Sequence, residues 1–270
     1  MPEGDNVWQT ARRLDALSGE VLTATDFRIP SLATTDLSGR LVLETVSRGK
    51  HLLTRIEGDV TLHSHLRMEG RWDVQRAGAR WRRPTHEARV VLHTATHDAI
   101  GFSIVLDLVR TSEEHRVVGH LGPDLLGPDW DPDEAVRRLE QSPDVPIGVA
   151  VLDQRNLAGI GNIYRAELCF LSGVDPHTPV SQVPDLRRMV DRAHALLVAN
   201  RDRPRITTGD RRPGRSLWVY GRRGPCLRCG TPVRVAELAA TDEPGSGPDQ
   251  ARTVWWCPSC QPRTPGESAP

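Results

Sequence analysis

Four cysteines constrain this chain more than any other feature. Cys226 and Cys229 form one Cys-x-x-Cys pair, Cys257 and Cys260 form another, and 27 residues lie between the pairs. Two such pairs near a C-terminus fit a tetrahedral structural zinc site of four thiolates, each pair turning around one side of the ion. Gly230 after the first pair and Pro258 inside the second suit those tight turns. A redox dithiol is the alternative, but one redox pair accounts for only half the pattern. A structural zinc in so small a segment supplies much of its folding free energy, on the order of 10 kcal/mol or more. Between the pairs, residues 242–249 read Asp-Glu-Pro-Gly-Ser-Gly-Pro-Asp, a mobile loop by composition. Cys169 stands apart in an apolar stretch.

The compartment follows from what is missing. No apolar run approaches the roughly 18 residues needed to cross a bilayer, and the start Met-Pro-Glu-Gly-Asp is acidic where a secretory signal is basic and then apolar. The expected location is therefore the cytosol, with no membrane partner. Disulfides are disfavoured there, which returns the cysteines to metal. A length of 270 residues, 38% of them hydrophobic, and a mean hydropathy of −0.42 describe a soluble globular chain of one large domain or two ordinary ones.

Charge first argues against a polyanion partner, since 35 basic residues balance 35 acidic ones. The distribution qualifies this. Between Arg201 and Arg234 ten arginines face only Asp202 and Asp210, enough to bind an anion, or else a solvated arginine-rich face. Among all the basic residues Lys50 is the one lysine.

Periodicity divides the chain. Val7, Ala11, Leu14 and Leu17 repeat at helical spacing, with Asp5 or Asn6 as the cap and Gly19 as the end. From Glu20 to about Val118 short apolar runs, among them 41–46, 52–56 and 60–66, read as strands, with Glu57-Gly58-Asp59 as a hairpin turn. Their number predicts a sandwich or barrel. Beyond Gly119 the pattern is helical again. Asp131-Pro132 opens a segment carrying Val136 and Leu139. Asp185 opens another with Leu186, Met189, Val190, Ala193, Leu196 and Leu197 on one stripe. From Gln261 the tail is rich in Pro and Ser and reads as frayed.

Between these helices, residues 152–168 read as helix, Gly-rich turn and helix. Gly159 and Gly161 permit tight backbone, and Asn162 stands where the new helix begins, where its amide and the free N–H groups behind it offer a phosphate site. Alone, this segment reads as a helix–helix turn with an N-cap.

It does not stand alone. The chain resembles the family of formamidopyrimidine-DNA glycosylase and endonuclease VIII along nearly its whole length and in order. The matching residues are Pro2-Glu3-Gly4, Ser47-Arg48-Gly49-Lys50-His51-Leu52, His65-Leu66-Arg67-Met68-Glu69-Gly70 and Leu121-Gly122-Pro123-Asp124. Then come residues 157–164, Leu-Ala-Gly-Ile-Gly-Asn-Ile-Tyr, followed by Val219-Tyr220-Gly221-Arg222, and Arg252 ahead of residues 255–261. The resemblance implies an α+β fold: an N-terminal β-sandwich flanked by helices, a helix-two-turns-helix domain and a C-terminal zinc β-ribbon. Mapped onto this chain, these are a catalytic domain 1–120, a DNA-binding domain 121–221, a four-cysteine ribbon 222–263 and a flexible tail 264–270.

The resemblance also implies a bifunctional DNA glycosylase and abasic-site lyase of base excision repair. Once Met1 is removed, Pro2 presents a secondary amine whose unperturbed pKa, around 8, leaves a nucleophilic fraction at neutral pH. It attacks the sugar C1′, expels the damaged base and leaves an iminium that acidifies the neighbouring sugar carbon, so that the 3′ phosphate can be eliminated. By the family pattern Glu3 protonates the sugar ring oxygen, Lys50 contacts the phosphate beside the lesion and helps donate a proton, and Arg252 grips lesion-flanking phosphates for δ-elimination. Met68 and Arg67 belong to the void-filling loop, although a loop methionine is more often core filler. Asn162 holds a phosphate at the lesion, and His120 falls where relatives place a phosphate-contacting cation. One structural Zn2+ positions Arg252 and takes no part in the chemistry. The expected partner is damaged DNA, bound by a monomer with no small-molecule cofactor.

Departures bear on the substrate. Asp5 and Asn6 replace a proline and a glutamate, Asp107-Leu-Val-Arg110 replaces the Arg-Phe wedge of oxidised-guanine relatives, and residues 206–218 are too few for their lesion-capping loop. The balance favours oxidised pyrimidines and abasic sites and the endonuclease VIII branch, especially its actinobacterial members that begin Met-Pro-Glu-Gly-Asp. A purine-specific glycosylase, or a non-catalytic damaged-DNA-binding protein of the same fold, is the alternative. A zinc module acting on RNA lacks an aromatic stacking signature.

Overall fold

The computed structural model describes residues 2–209, 216–239 and 251–263. It divides into two compact units, Met1–His120 and Leu121–Pro270.

The first unit opens with helix α1 (Gly4–Leu14), continued by a short 3-10 turn to Leu17. The residue at its N-cap is Glu3, so the helix starts earlier than a cap at Asp5 or Asn6 predicts. Asp5 is buried within the first turn, where the helix dipole favours a carboxylate. Eight strands follow: β1 (Ala24–Phe27), β2 (Val42–Arg48), β3 (His51–Ile56), β4 (Val60–His65), β5 (Arg71–Arg76), β6 (Ala88–His93), β7 (His97–Phe102) and β8 (Val105–Arg110). They pair antiparallel in two sheets, ordered β1-β6-β7-β5 and β2-β3-β4-β8. Leu52, Ile56 and Leu62 of one sheet share a core with Val90, Leu92 and Ala99 of the other and with Val7, Ala11 and Leu14 of α1. This is the expected sandwich. Period-two alternation sends the intervening residues of β3 and β4 to the opposite face. A one-turn helix, α2 (His115–Val118), precedes His120.

The second unit is helical and then a ribbon. Helix α3 (Pro132–Glu140) begins as the sequence predicts, with the Asp131 side chain accepting from the N–H groups of Asp133 and Glu134. Helix α6 (Leu186–Asn200) does the same through Asp185, which accepts from Arg188. Between them lie the one-turn α4 (Ile147–Ala150) and helix α5 (Asn162–Ser172). Residues 152–161 are not helical, which corrects the helix–turn–helix reading. The Ala158 N–H donates to the Pro123 carbonyl, and the Ala158 carbonyl accepts from Leu125, so this backbone bonds to residues 123–125 in place of a helical ladder. Gly122 is required there because an added Cβ would lie 2.6 Å from the carbonyl oxygens of Arg155 and Asn156. Strands β9 (Arg234–Leu238) and β10 (Arg252–Trp256) pair antiparallel as a two-stranded ribbon. Residues 210–215, all of 242–249 and the tail from 264, on which three of the sequence readings fall, lie outside the described residues.

Candidate active site and metal centre

In the first unit α1 fixes where the chain begins. Asp15 Oδ1 accepts from the Thr45 N–H at 3.0 Å. Gly19 N–H donates to the Val42 carbonyl at 2.9 Å, and Leu22 N–H to the Arg40 carbonyl at 2.9 Å. Residues 15–22 thus run antiparallel to 45–40, and α1 packs on β2, β3 and β5. A two-residue hairpin joins β2 to β3, with Arg48 paired to His51 across Gly49 and Lys50. Gly49 has φ +56°, in the left-handed region that glycine adopts without strain. Pro2 is half-buried and Glu3 is 0% exposed. The Glu3 side chain does not cap α1, so helix formation does not explain its burial.

The loop between β4 and β5 presents Met68 with 61% of its surface exposed. Core filling, the ordinary reason for a methionine, is excluded. Arg67 beside it has φ +54° and donates its N–H to His65 Nδ1 at 2.9 Å.

The strand register assembles a group that sequence reading missed. His51 pairs with His65 across β3 and β4, and His63 lies two residues back on the same face. His51 Nδ1 and His63 Nε2 are 2.7 Å apart, and the His120 ring meets His51 edge-on at 6.2 Å between centroids. Burial, followed by the charges of His63, His65, His120 and Arg67, lowers His51 to about 3. Burial, then Arg67 and Lys50, lowers His65 to about 4, and burial also lowers His63. His51 and His63 are neutral at pH 7, so one ring donates across the 2.7 Å contact and the other accepts.

Depressed histidines bind protons better in the unfolded chain. Their contribution to stability is full above about pH 6.5, the unfolded value, and is lost as pH falls toward 4 and 3. At about pH 5 the cost is on the order of 1 kcal/mol for each of His51 and His65, after discounting for partial solvation. Denaturant unfolding at neutral pH and near pH 5 should show that loss, and His51→Gln should flatten the slope. An identical slope in that variant would remove His51 from the account.

In the second unit, Asn162 is the first residue of α5, and Gly161 is the cap. Asn162 Nδ2 donates to the Thr253 carbonyl at 3.2 Å, leaving its second amide hydrogen for another acceptor. Arg252, exposed at the start of β10, pairs with Leu238. Two buried charges, neither singled out by the sequence, extend from the same helix. Arg165, 0% exposed, donates to the Thr253 carbonyl at 2.5 Å. Glu167, also 0% exposed, accepts from the N–H groups of Trp218, Val219 and Tyr220 at 2.8, 2.9 and 3.0 Å, and from the Thr208 hydroxyl. One carboxylate thereby fixes the Val219-Tyr220-Gly221-Arg222 segment against α5. Phe170 of α5 stacks on Trp218, and the Arg228 guanidinium lies 4.2 Å from the Phe170 ring centre.

The cysteines come together as their spacing predicts. The four Sγ atoms lie within 4.8 Å of one another, with Cys229 to Cys257 at 3.4 Å and Cys226 to Cys260 at 4.0 Å. A tetrahedral ion with bonds of about 2.3 Å to sulfur requires sulfur–sulfur edges of about 3.8 Å, so the set could hold a metal. Burial and the neighbouring thiols push Cys260 up to about 12, an opposition to ionisation that a bound cation relieves by taking the thiolate. Among the described residues no other His, Cys, Asp or Glu group has metal-binding geometry. No described helix is long and apolar enough to cross a membrane.

Comparison with known proteins places the chain. Residues 1–105 match the formamidopyrimidine-DNA glycosylase N-terminal domain, and residues 121–200 match the H2TH domain of the same glycosylase. The probable endonuclease 8 2 of Streptomyces coelicolor is 58% identical over 97% of this chain and 94% of its own length. The DNA-(apurinic or apyrimidinic site) lyase Nei2 of Mycolicibacterium smegmatis is 49% identical over 97% of this chain and 99% of its own. In fold, the chain matches Lactococcus lactis Fpg, solved with an abasic site containing DNA, at a TM-score of 0.78 and 23% identity over 97% of this chain and 100% of that one. Matches that span both units, with a four-cysteine ribbon behind them, decide the assignment: the chain belongs to the formamidopyrimidine-DNA glycosylase family on its endonuclease 8 side, the DNA glycosylases and abasic-site lyases of base excision repair.

Proposed function

We propose that this chain binds damaged DNA as a monomer and removes oxidised bases, pyrimidines above all, through a Schiff base on Pro2. The observation that carries the reading is the full burial of Glu3 beside a half-buried Pro2 at the start of α1. A buried carboxyl next to a secondary amine is the pairing of proton donor and nucleophile that this chemistry needs. The Pro2 nitrogen forms a bond to C1′ as the bond to the base breaks, and the base leaves with a proton; the C1′–O4′ bond then breaks as Glu3 gives a proton to O4′, leaving the iminium. Loss of a C2′ proton from the iminium then expels the 3′ phosphate, and a second elimination expels the 5′ phosphate. Lys50 serves as a cation and proton donor, Arg252 and Asn162 hold phosphates, and His120 and Arg67 flank the bound strand. Met68 fills the space of the extruded nucleotide; its exposure supports that role. Zinc, held by Cys226, Cys229, Cys257 and Cys260, keeps the ribbon folded. No small-molecule cofactor takes part. Residues 1–120 supply the chemistry, 121–221 and 222–263 hold DNA, and 264–270 is a tail.

The pyrimidine preference draws support from β8. Asp107 to Arg110 lie in that strand, paired with His63 to Val60, so this segment forms no separate wedge loop. Borohydride reduction on DNA containing dihydrothymine or an abasic site should trap the processed N-terminus covalently. A chain that incises neither DNA and yields no adduct would sink the reading. Lys50→Arg sharpens the assignment of roles, because guanidinium keeps the charge but is a poor proton donor. Incision in single turnover should fall roughly 10- to 100-fold with DNA affinity nearly unchanged. Unchanged incision would make Lys50 a solvated cation.

A further inference from the structure

We propose that Arg165 is a positioning residue that sets the direction of Arg252 and, with it, the balance between the first and second eliminations. The inference rests on the role given to Arg252 above. A two-stranded ribbon has a free edge whose carbonyls need donors when buried. Arg165 and Asn162, one turn apart on α5, converge on one such carbonyl, that of Thr253, at 2.5 and 3.2 Å. The Arg165 guanidinium also reaches the Arg252 carbonyl at 3.5 Å and the Gly148 carbonyl of α4 at 3.5 Å. The peptide that follows Arg252 is thereby tied to two helices.

Ribbon stability alone does not call for this. The four cysteines gather the C-terminal end of β10, Val254 and Trp256 pack along it, and Leu238, opposite Arg252, belongs to the same apolar cluster with Val149. Arg165 acts on the backbone at the end that carries Arg252. A fully buried guanidinium is costly where an apolar side chain of similar volume would pack as well. What it adds here is a fixed backbone at Thr253, from which the Arg252 side chain departs one residue away. A reacting group displaced by about 1 Å can lose on the order of 10²-fold in rate.

The test measures the ratio of δ- to β-elimination products on abasic-site DNA, with zinc content determined on the same samples. Arg165→Met should lower the ratio roughly 10-fold or more at wild-type zinc content. Arg165→Lys, which keeps one charged donor for the Thr253 carbonyl, should recover part of it. A purely structural role would reduce both products together and leave the ratio unchanged. A wild-type ratio in both variants overturns the proposal, as does loss of zinc from both. Should Arg165→Met alone lose zinc, a lowered ratio in Arg165→Lys supports the proposal and a wild-type ratio overturns it. Arg252→Ala separates the two readings. If it leaves the ratio at the wild-type value, the role of Arg252 falls and Arg165 falls with it. If it lowers the ratio while the Arg165 variants do not, only the present inference falls.

Discussion

Adding a single residue in front of Pro2, so that its nitrogen becomes an amide, abolishes borohydride trapping and incision together. An amide nitrogen has no available lone pair, so the expected loss is at least about 10³-fold, the scale on which removal of a covalent nucleophile acts. The extension leaves the fold intact, because α1 begins at Gly4 and its packing through Val7, Ala11 and Leu14 does not involve the terminal nitrogen. DNA binding should persist, which distinguishes a lost nucleophile from a lost site. Glu3→Gln separates the two activities. Base removal needs a proton on the departing sugar oxygen and should drop by about 10² to 10⁴, whereas an abasic sugar opens to its aldehyde unaided and should still be cleaved. An extended chain that retains trapping would show that another amine, Lys50 first among them, forms the adduct.

What the sequence made legible was whatever a local rule governs. The hairpin at Glu57-Gly58-Asp59 forms because Gly58 and Asp59 adopt φ of +89° and +61°, which turn residues tolerate. Asp131 and Asp185 cap helices with the bonds their side chains favour. The cysteines were readable because a metal dictates both ligand type and spacing. The residues that escaped take their meaning from partners far along the chain. Glu167 is satisfied by residues 208 and 218–220, and Arg165 by 252 and 253; nothing within a helical turn of either announces that partnership. His63 joins His51 only through the β3–β4 register, and a one-residue slip would send it to the core. Residues 152–161 misled for the same reason, their apolar spacing being spent on residues 123–125 instead of on a helix of their own.

Removing the metal should have the second large effect, and its pattern is specific. Chelation, or Cys257→Ser, takes away a contribution on the order of 10 kcal/mol to a ribbon whose remaining apolar support is Leu238, Val254 and Trp256 in one cluster and Val233 and Trp255 in another. The ribbon should unfold while the sandwich of residues 1–120, with its own core, remains. Far-ultraviolet circular dichroism would then change little, while the tryptophan signal of Trp255 and Trp256 would change strongly. Incision should fall below detection, although Pro2, Glu3 and Lys50 are untouched, because Arg252 and the Thr253 carbonyl that binds Asn162 and Arg165 lose their frame. Re-addition of zinc should restore activity in step with about one ion per chain. Cobalt(II) in its place should give the visible absorption of a tetrahedral tetrathiolate. A chelated protein that keeps wild-type incision would show that the ribbon is dispensable, and Arg252 would have no part in the reaction.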